Sequence, residues 1–287
     1  MYLITGVTGH LGNAAAEAFL QREGVSKLAV LSRSQEKSKS WAERGVEVKI
    51  GDYSDYDSLV SAFEGVEKIL FVSSNDLENR EAHHQNVIAA AKAAKVNHLI
   101  FTSFQYQSIA EDSPNGLMPV YKATEDLLIA SGLRYTILRN GIYMDMLPDI
   151  IGPAIREQKV LFAAAGDTPV AFTSRNDLAE AAANVLLGDG FENKTIDLVN
   201  GTSVRFQEIA DQLGDILKLD ITYVNATNSE YEKALLEAGL PPIVVGLFAG
   251  ILQSIKTGEF DKTGTDLAAI LGRTPLQVKD FLAAYYA

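Results

Sequence analysis

The first 140 residues alternate between short apolar runs and stretches in which apolar positions recur at helical spacing. The runs are Tyr2–Thr5, Lys27–Ser32, Val46–Ile50, Lys68–Ser73, Asn97–Ser103 and Leu133–Arg139. They are short and rich in Val, Ile, Leu, Phe and Tyr, which suits buried strands rather than helices. Between them, Leu11–Arg22 is alanine-rich, and Glu78–Lys95 carries the stripe Val87, Ile88, Ala91 and Ala94. A segment with Leu59, Val60 and Phe63 follows Ser54 and Asp55, either of which can cap it, and ends at Gly65; Ala123–Ala130 ends at Gly132. Strand and helix in strict alternation imply a parallel sheet with right-handed crossovers and helices on both faces. The expected fold is therefore α/β, a Rossmann-type doubly wound sheet of order 3-2-1-4-5-6.

After residue 143 the pattern loosens. Strands are expected near Val160–Phe162, Val170–Phe172, Thr195–Val199 and Ile221–Val224, and helices at Asn176–Leu187, Phe206–Leu217, Ser229–Glu237 and Thr274–Ala284. Residues 1–143 read as a nucleotide-binding region and 144–287 as a smaller C-terminal lobe that packs on it as a substrate-binding lid. No linker or repeat marks the join, so the boundary is soft and a single domain is equally compatible.

Composition narrows the chemistry. The chain has no cysteine, which excludes disulfides, thiolate metal sites and cysteine nucleophiles. Its four histidines give no metal spacing; His83 and His84 are adjacent, about 100° apart on a helix, and read as a solvated face. No metal is expected. A net charge of −12 repels nucleic-acid backbones. The apolar stretch Leu240–Ile255 is broken by Pro241, Pro242 and two glycines and is too short to span a bilayer. A cytoplasmic protein with no nucleic-acid or membrane partner is expected, with Ile243–Ile255 serving either as core or as a homodimer contact. Neither Gly-x-Ser-x-Gly nor a Gly-Lys-Ser/Thr phosphate loop is present.

The strongest chemical signal is Gly6-Val7-Thr8-Gly9-His10-Leu11-Gly12, placed between the first strand and the first helix. Gly6 permits the tight turn, Gly9 lets a pyrophosphate approach the backbone, and Gly12 allows helix and strand to pack closely. Thr8, His10 and Leu11 complete the turn, whose free N–H groups and helix dipole favour an anion. The second strand ends in Ser32-Arg33 where an NAD site usually carries an acidic residue. Arg33 offers a fork suited to a 2′-phosphate, so NADPH is the expected cofactor. Asp52 either bonds the adenine amino group, with Tyr53 beside it, or caps a helix. Ser73-Ser74-Asn75 follow the fourth strand at the switch point of the sheet and suit the nicotinamide-side ribose and phosphates.

Many dehydrogenases with this glycine turn use Tyr-x-x-x-Lys as their acid. Here Tyr121 is followed four residues later by Glu125, so that device is missing. Phe104, Tyr143 and Phe172 can wall a flat aromatic substrate, and each also fits a plain core.

The glycine turn, Ser32-Arg33, Tyr121-Lys122-Ala123-Thr124-Glu125 and Tyr135-Thr136-Ile137-Leu138-Arg139-Asn140-Gly141-Ile142-Tyr143 together resemble the NmrA-like, atypical short-chain dehydrogenase family. Leu271-Gly272-Arg273-Thr274-Pro275 and Val278-Lys279-Asp280-Phe281 are similar to that family's C-terminal end, so the likeness covers essentially the whole chain. Within the family it is most similar to the bacterial type 2 NADPH:quinone oxidoreductases. The resemblance implies that Lys122 lies near the nicotinamide ribose and that Asn140, Gly141, Ile142 and Tyr143 lie against the nicotinamide, making Lys122 and Tyr143 the candidate catalytic residues. It implies hydride transfer from NADPH to a quinone-like acceptor, with protons from water or a nearby hydroxyl. Two alternatives stay open: a non-catalytic NADP(H)-sensing regulator acting through a protein partner, and a reductase of azo or triphenylmethane dyes.

Overall fold

The structure, a computed structural model, describes residues 1–106 and 118–287. Six strands arise where the apolar runs lie: β1 (Tyr2–Ile4), β2 (Leu28–Ser32), β3 (Glu47–Ile50), β4 (Lys68–Val72), β5 (His98–Phe104) and β6 (Arg134–Asn140). With β7 (Val160–Ala163), β8 (Lys194–Leu198) and β9 (Thr222–Asn225) they form two sheets. The main sheet has seven strands in the order β3-β2-β1-β4-β5-β6-β8, all parallel. The expected six-strand order is present, extended by β8 from the second half of the chain.

Side chains along the central strands alternate between two cores, as period-two geometry requires. Ile4, Val30, Leu70, Ile100 and Leu138 face helices α1 (His10–Leu20) and Arg175–Leu187. Their neighbours Leu3, Ala29, Ile69, Leu99 and Ile137 face Tyr56–Phe63, Arg80–Ala93 and Met118–Ala130. Counting the short helix Lys39–Glu43 as α2, these three are α3, α4 and α5. Asp55, rather than Ser54, caps α3, its carboxylate accepting from Ser58 N at 3.1 Å.

The second half adds α6 (Leu147–Ile151), α7 (Ile155–Gln158), α8 (Arg175–Leu187), α9 (Phe206–Leu217), α10 (Asn228–Glu237), α11 (Pro242–Lys256), α12 (Asp266–Leu271) and α13 (Val278–Tyr286). A third core lies beneath them, with β7 and β9 paired in parallel. Two expectations are corrected and one unassigned stretch is resolved. Val170–Phe172 is no strand: Val170 bridges Val204 alone, Ala171 N donates to Phe260 O and Thr173 N to Ile142 O, so no single partner supplies a ladder. The last helix starts at Val278 rather than Thr274, because Leu276 N is drawn to Asp177 Oδ2 at 2.7 Å and cannot enter a helical turn. The apolar stretch after Leu240 is itself a helix, α11, which Pro242 can open because a first-turn N–H has no helical partner. Among the described residues no helix is long and apolar enough to cross a membrane.

β1 and β4 are neighbours whose chains leave for opposite faces, so the loops after them part at one edge of the sheet. The cleft between those loops holds the candidate site.

Candidate active site

Gly6 has φ +67°, and a Cβ there would meet Val72 Cβ at 3.0 Å. A Cβ on Gly12 would fall 2.4 Å from Gly6 O and 2.6 Å from Thr5 O, so the approach of α1 to β1 admits only glycine. At Gly9 a Cβ would meet nothing closer than Gly6 O at 3.4 Å, an ordinary contact, and the residue lines the cleft. Gly9 is also the N-cap of α1, with no side-chain cap and no acidic residue in the first turn. The positive end of the helix is left uncompensated by the protein, the condition for binding a diphosphate. A cleft of about 390 Å³ opens here, and Gly6, Thr8, Gly9, His10, Leu11 and Gly12 all line it.

Arg33 stands exposed at one end of this cleft, beyond a small turn in which Ser32 Oγ donates to Ser34 O at 2.8 Å and accepts from Ser34 N. Asp52 lines the same end. Burial alone would raise its carboxyl, but hydrogen bonds from Ser54 N (2.9 Å) and Ser54 Oγ (2.8 Å), with the charges of Arg33 and His83, hold it below the usual carboxylate range. Its oxygens serve that loop turn and not a helix N-terminus. Tyr53 presents its ring to the cleft while its hydroxyl donates inward to Val72 O at 2.8 Å and meets Thr5 Oγ1.

The loop after β4 is pinned at nearly every polar atom. Ser73 N donates to Thr102 Oγ1 (3.0 Å), Ser74 N to His84 Nε2 (3.2 Å), and Arg80 Nε to Ser74 O (2.7 Å). Ser73 Oγ lies 3.1 Å from His84 Nε2, and Ser74 Oγ 3.0 Å from His83 Nδ1. The expected solvated histidine face is thus half wrong. His84 is fully buried, because α4 turns that side onto the switch loop. Thr124 Oγ1 gives its proton to Val120 O at 2.8 Å, so at 2.8 Å from His84 it can only accept. This assigns the ring proton to Nδ1 and leaves Nε2 to accept from Ser74 N. Burial first, then the charges of Arg80 and His83, push His84 down to about 3, so the ring is neutral.

At the far end, β6 runs out into Asn140, Gly141, Ile142 and Tyr143. Asn140 and Ile142 are buried beneath the cleft, and Asn140 Oδ1 has no hydrogen-bond partner. A Cβ on Gly141 would meet Thr173 Oγ1 at 2.7 Å. Tyr143 alone of the four lines the cleft, its phenol pushed up to about 12 by burial and by the neighbouring Tyr121. The Arg175 guanidinium lies 4.7 Å from the Tyr143 ring centroid and Arg175 N donates to Asp145 Oδ2 at 2.9 Å. Arg175 lines the cleft opposite the glycine turn and escaped the sequence reading. The available signal was a cation opening α8 immediately after its Ser174 cap, where the helix dipole disfavours positive charge.

Lys122 is not among the residues lining the cleft. Its side chain is 44% exposed and pairs with Asp126 one turn further along α5. It also sits beyond the first turn of that helix, whose described part starts at Met118. Glu125, at the position of the missing lysine, is only 2% exposed. It accepts from Arg139 Nη2 (2.6 Å), Arg139 Nε (3.0 Å), Ser103 Oγ (2.6 Å) and Tyr106 Oη (2.8 Å). Of the proposed aromatic walls, Phe172 is wholly buried against Phe206 and belongs to the core. Phe104 is half-buried and stacks on Tyr121, centroids 6.0 Å apart at 24°.

Residues 6–189 match a family described as NAD(P)H-binding. The chain is 35% identical to quinone oxidoreductase 2 of Escherichia coli (strain K12), over 95% of this chain and 94% of that one. It is 31% identical to an NmrA-like family domain-containing oxidoreductase of Aspergillus flavus, over 97% and 92% respectively. Among solved structures, an NADPH-dependent quinone oxidoreductase from Escherichia coli in complex with NADPH superposes with a TM-score of 0.93 at 32% identity, over the full length of both chains. The triphenylmethane reductase of Citrobacter sp. complexed with NADP(H) gives 0.92, also at 32% and over both full lengths. The glycine turn, the sheet order and these full-length likenesses agree: the chain belongs to the NAD(P)H-binding, NmrA-like family of oxidoreductases.

Proposed function

We propose that this protein reduces quinones with NADPH. The observation that carries the reading is one continuous cleft, from the exposed Arg33 past the uncapped end of α1 to Tyr143. Those parts fit the 2′-phosphate, the diphosphate and the nicotinamide of a single extended dinucleotide. In this reading Gly6, Thr8, Gly9, His10, Leu11 and Gly12 hold the diphosphate, Arg33 the 2′-phosphate, and Asp52 the adenine edge. Ser73, Ser74 and Asn75 hold the nicotinamide-side ribose, while Asn140, Gly141, Ile142 and Tyr143 back the nicotinamide. Lys122 joins them only by leaving Asp126.

The bound cofactor supplies a hydride from its dihydronicotinamide carbon. The protein's part is to hold donor and acceptor in contact and keep water from that carbon, an effect of position more than of covalent chemistry. Arg175, from residues 144–287, lies over the Tyr143 ring on the acceptor side, which supports the lid role read for that lobe. The E. coli relatives named above support a quinone as the acceptor.

The test is to mix the pure protein with NADPH and a benzoquinone or naphthoquinone and follow the nicotinamide absorbance. Consumption well above a protein-free control is expected. Tight NADPH binding without consumption would replace the enzyme with an NADP(H)-sensing protein.

A further inference from the structure

The loss of lysine from the Tyr-x-x-x-Lys spacing leaves Tyr121 without its usual cation, yet the structure places another beside it. Arg80, at the start of α4, is 6% exposed and its guanidinium lies 5.4 Å from the centroid of the Tyr121 ring. It makes no ion pair with any carboxylate among the described residues, and its Nη1 is buried without a hydrogen-bond partner. A buried guanidinium with one backbone acceptor and no counter-ion is costly, and its field is correspondingly strong at short range. Among the described residues it lies over the face of Tyr121.

The Tyr121 hydroxyl in turn adjoins the cleft through Ser73, without itself being among the residues that line it. Ser73 Oγ donates to it at 3.2 Å, and Ser73 lines the cleft. Tyr143, which also lines the cleft, has its phenol raised by burial and then by Tyr121 beside it. With Ser73 donating to its oxygen, the phenol's own proton is left free to be given away. Glu125 does not compete, being locked on Arg139, Ser103 and Tyr106.

We infer that Tyr121 is the proton donor to the reduced acceptor, and that Arg80 supplies from above the ring the positive charge that lysine supplies in Tyr-x-x-x-Lys enzymes. The inference rests on the quinone-reductase reading. The quinone takes a hydride, two electrons with one hydrogen, and becomes the hydroquinone monoanion while NADPH is oxidised to NADP⁺. The Tyr121 O–H bond breaks as its proton passes to the anionic oxygen, Ser73 hydrogen-bonds the phenolate, and a proton from water restores the phenol. The sum is quinone, NADPH and one proton giving hydroquinone and NADP⁺. Tyr121 is the catalytic residue here; Arg80 acts through it.

The test compares two acceptors. A quinone needs a proton after hydride addition, whereas a cationic triphenylmethane dye becomes its neutral leuco form by hydride alone. Tyr121→Phe is expected to lower kcat for a naphthoquinone by about 100-fold, in the range of general acid catalysis, and to leave dye reduction within about threefold. Arg80→Gln, which also frees Ser74 O, is expected to lower both rates but the quinone rate about 10-fold more than the dye rate, with Arg80→Lys restoring most of that difference. A second measurement needs no turnover: calorimetric binding of 4-nitrophenolate, a stand-in for the hydroquinone anion, to the NADP⁺-saturated protein. Tyr121→Phe and Arg80→Gln should each weaken it at least fivefold. Equal losses for both acceptors, no loss for either, or phenolate binding absent or unchanged would overturn the inference. A wild-type protein that reduces no quinone would instead overturn the function on which it rests.

Discussion

At the phosphate end of the cleft, the binding surface is made by neighbours in the chain: Gly6 to Gly12 in one turn and Ser32 to Ser34 in another. At the acceptor end, Ser73, Tyr121, Tyr143 and Arg175 arrive from four separated segments, and side-chain bonds across the fold hold them together. The first end offers backbone amides and a helix dipole, which any chain of the right shape provides, with Arg33 as its one charged side chain besides Asp52. The second depends on which side chain meets which. A single end can therefore be damaged without the other, and the variants below separate them.

The largest effect is expected at the glycine turn. Gly12→Val would drive a side chain into the carbonyls of Gly6 and Thr5, so α1 must move off β1. NADPH affinity should fall more than 100-fold in calorimetry, together with a marked drop in Tm. At the other end, Glu125→Ala would leave the Arg139 guanidinium, 23% exposed, facing an empty pocket. Removing one partner of such a pair costs about 3–5 kcal/mol when fully buried, and somewhat less is expected here in urea unfolding. NADPH affinity should change little once the variant is folded.

Arg33→Ala comes next. Loss of a charge-assisted contact to a 2′-phosphate should weaken NADPH by about 10- to 100-fold, or ~1.4–2.7 kcal/mol, and NADH by less than threefold. Equal weakening of both would remove the 2′-phosphate from Arg33. A pH effect of similar size is expected from His84. Its folded value of about 3 lies below the unfolded value near 6.5. Below pH ~6.5 the unfolded chain takes a proton that the folded ring refuses. Stability should therefore fall with pH by up to about 1.4 kcal/mol per unit, until the folded ring protonates near 3. Unfolding measured from pH 7 to 4 should show this limb, and His84→Gln should remove it.

Lys122→Ala should do least. An exposed pair one helical turn apart contributes about 0.3–0.5 kcal/mol, and NADPH affinity should stay within threefold if the amine remains on Asp126. A tenfold loss would show that Lys122 reaches the cofactor and would blur the distinction between the two ends.

The contrast also explains what could be read in advance. Apolar periodicity marked all six strands of the Rossmann half to within a residue or two, because burial on both faces demands apolar runs in the inner strands, although the edge strand β3 is itself only partly buried. The glycine turn was legible because steric exclusion acts on residues close in the chain. His84 was misread as solvated because its neighbour His83 does face the cleft, and only the packing of α4 against the switch loop distinguishes them. Val170–Phe172 was misread because an apolar run does not reveal whether a partner strand awaits it.

Local constraints, namely backbone dihedrals, the reach of one side chain and the period of apolar positions, belong to the chain before it folds, and they sufficed for the order of the first six strands and the phosphate turn, though not for the addition of β8. The pairing of Ser73 with Tyr121, of Arg80 with the Tyr121 ring and of Glu125 with Arg139 was decided in three dimensions. Such contacts join residues 14 to 48 positions apart. They exist only once the crossovers have brought α4, α5 and β6 to the same edge of the sheet, and no spacing rule along the chain encodes them.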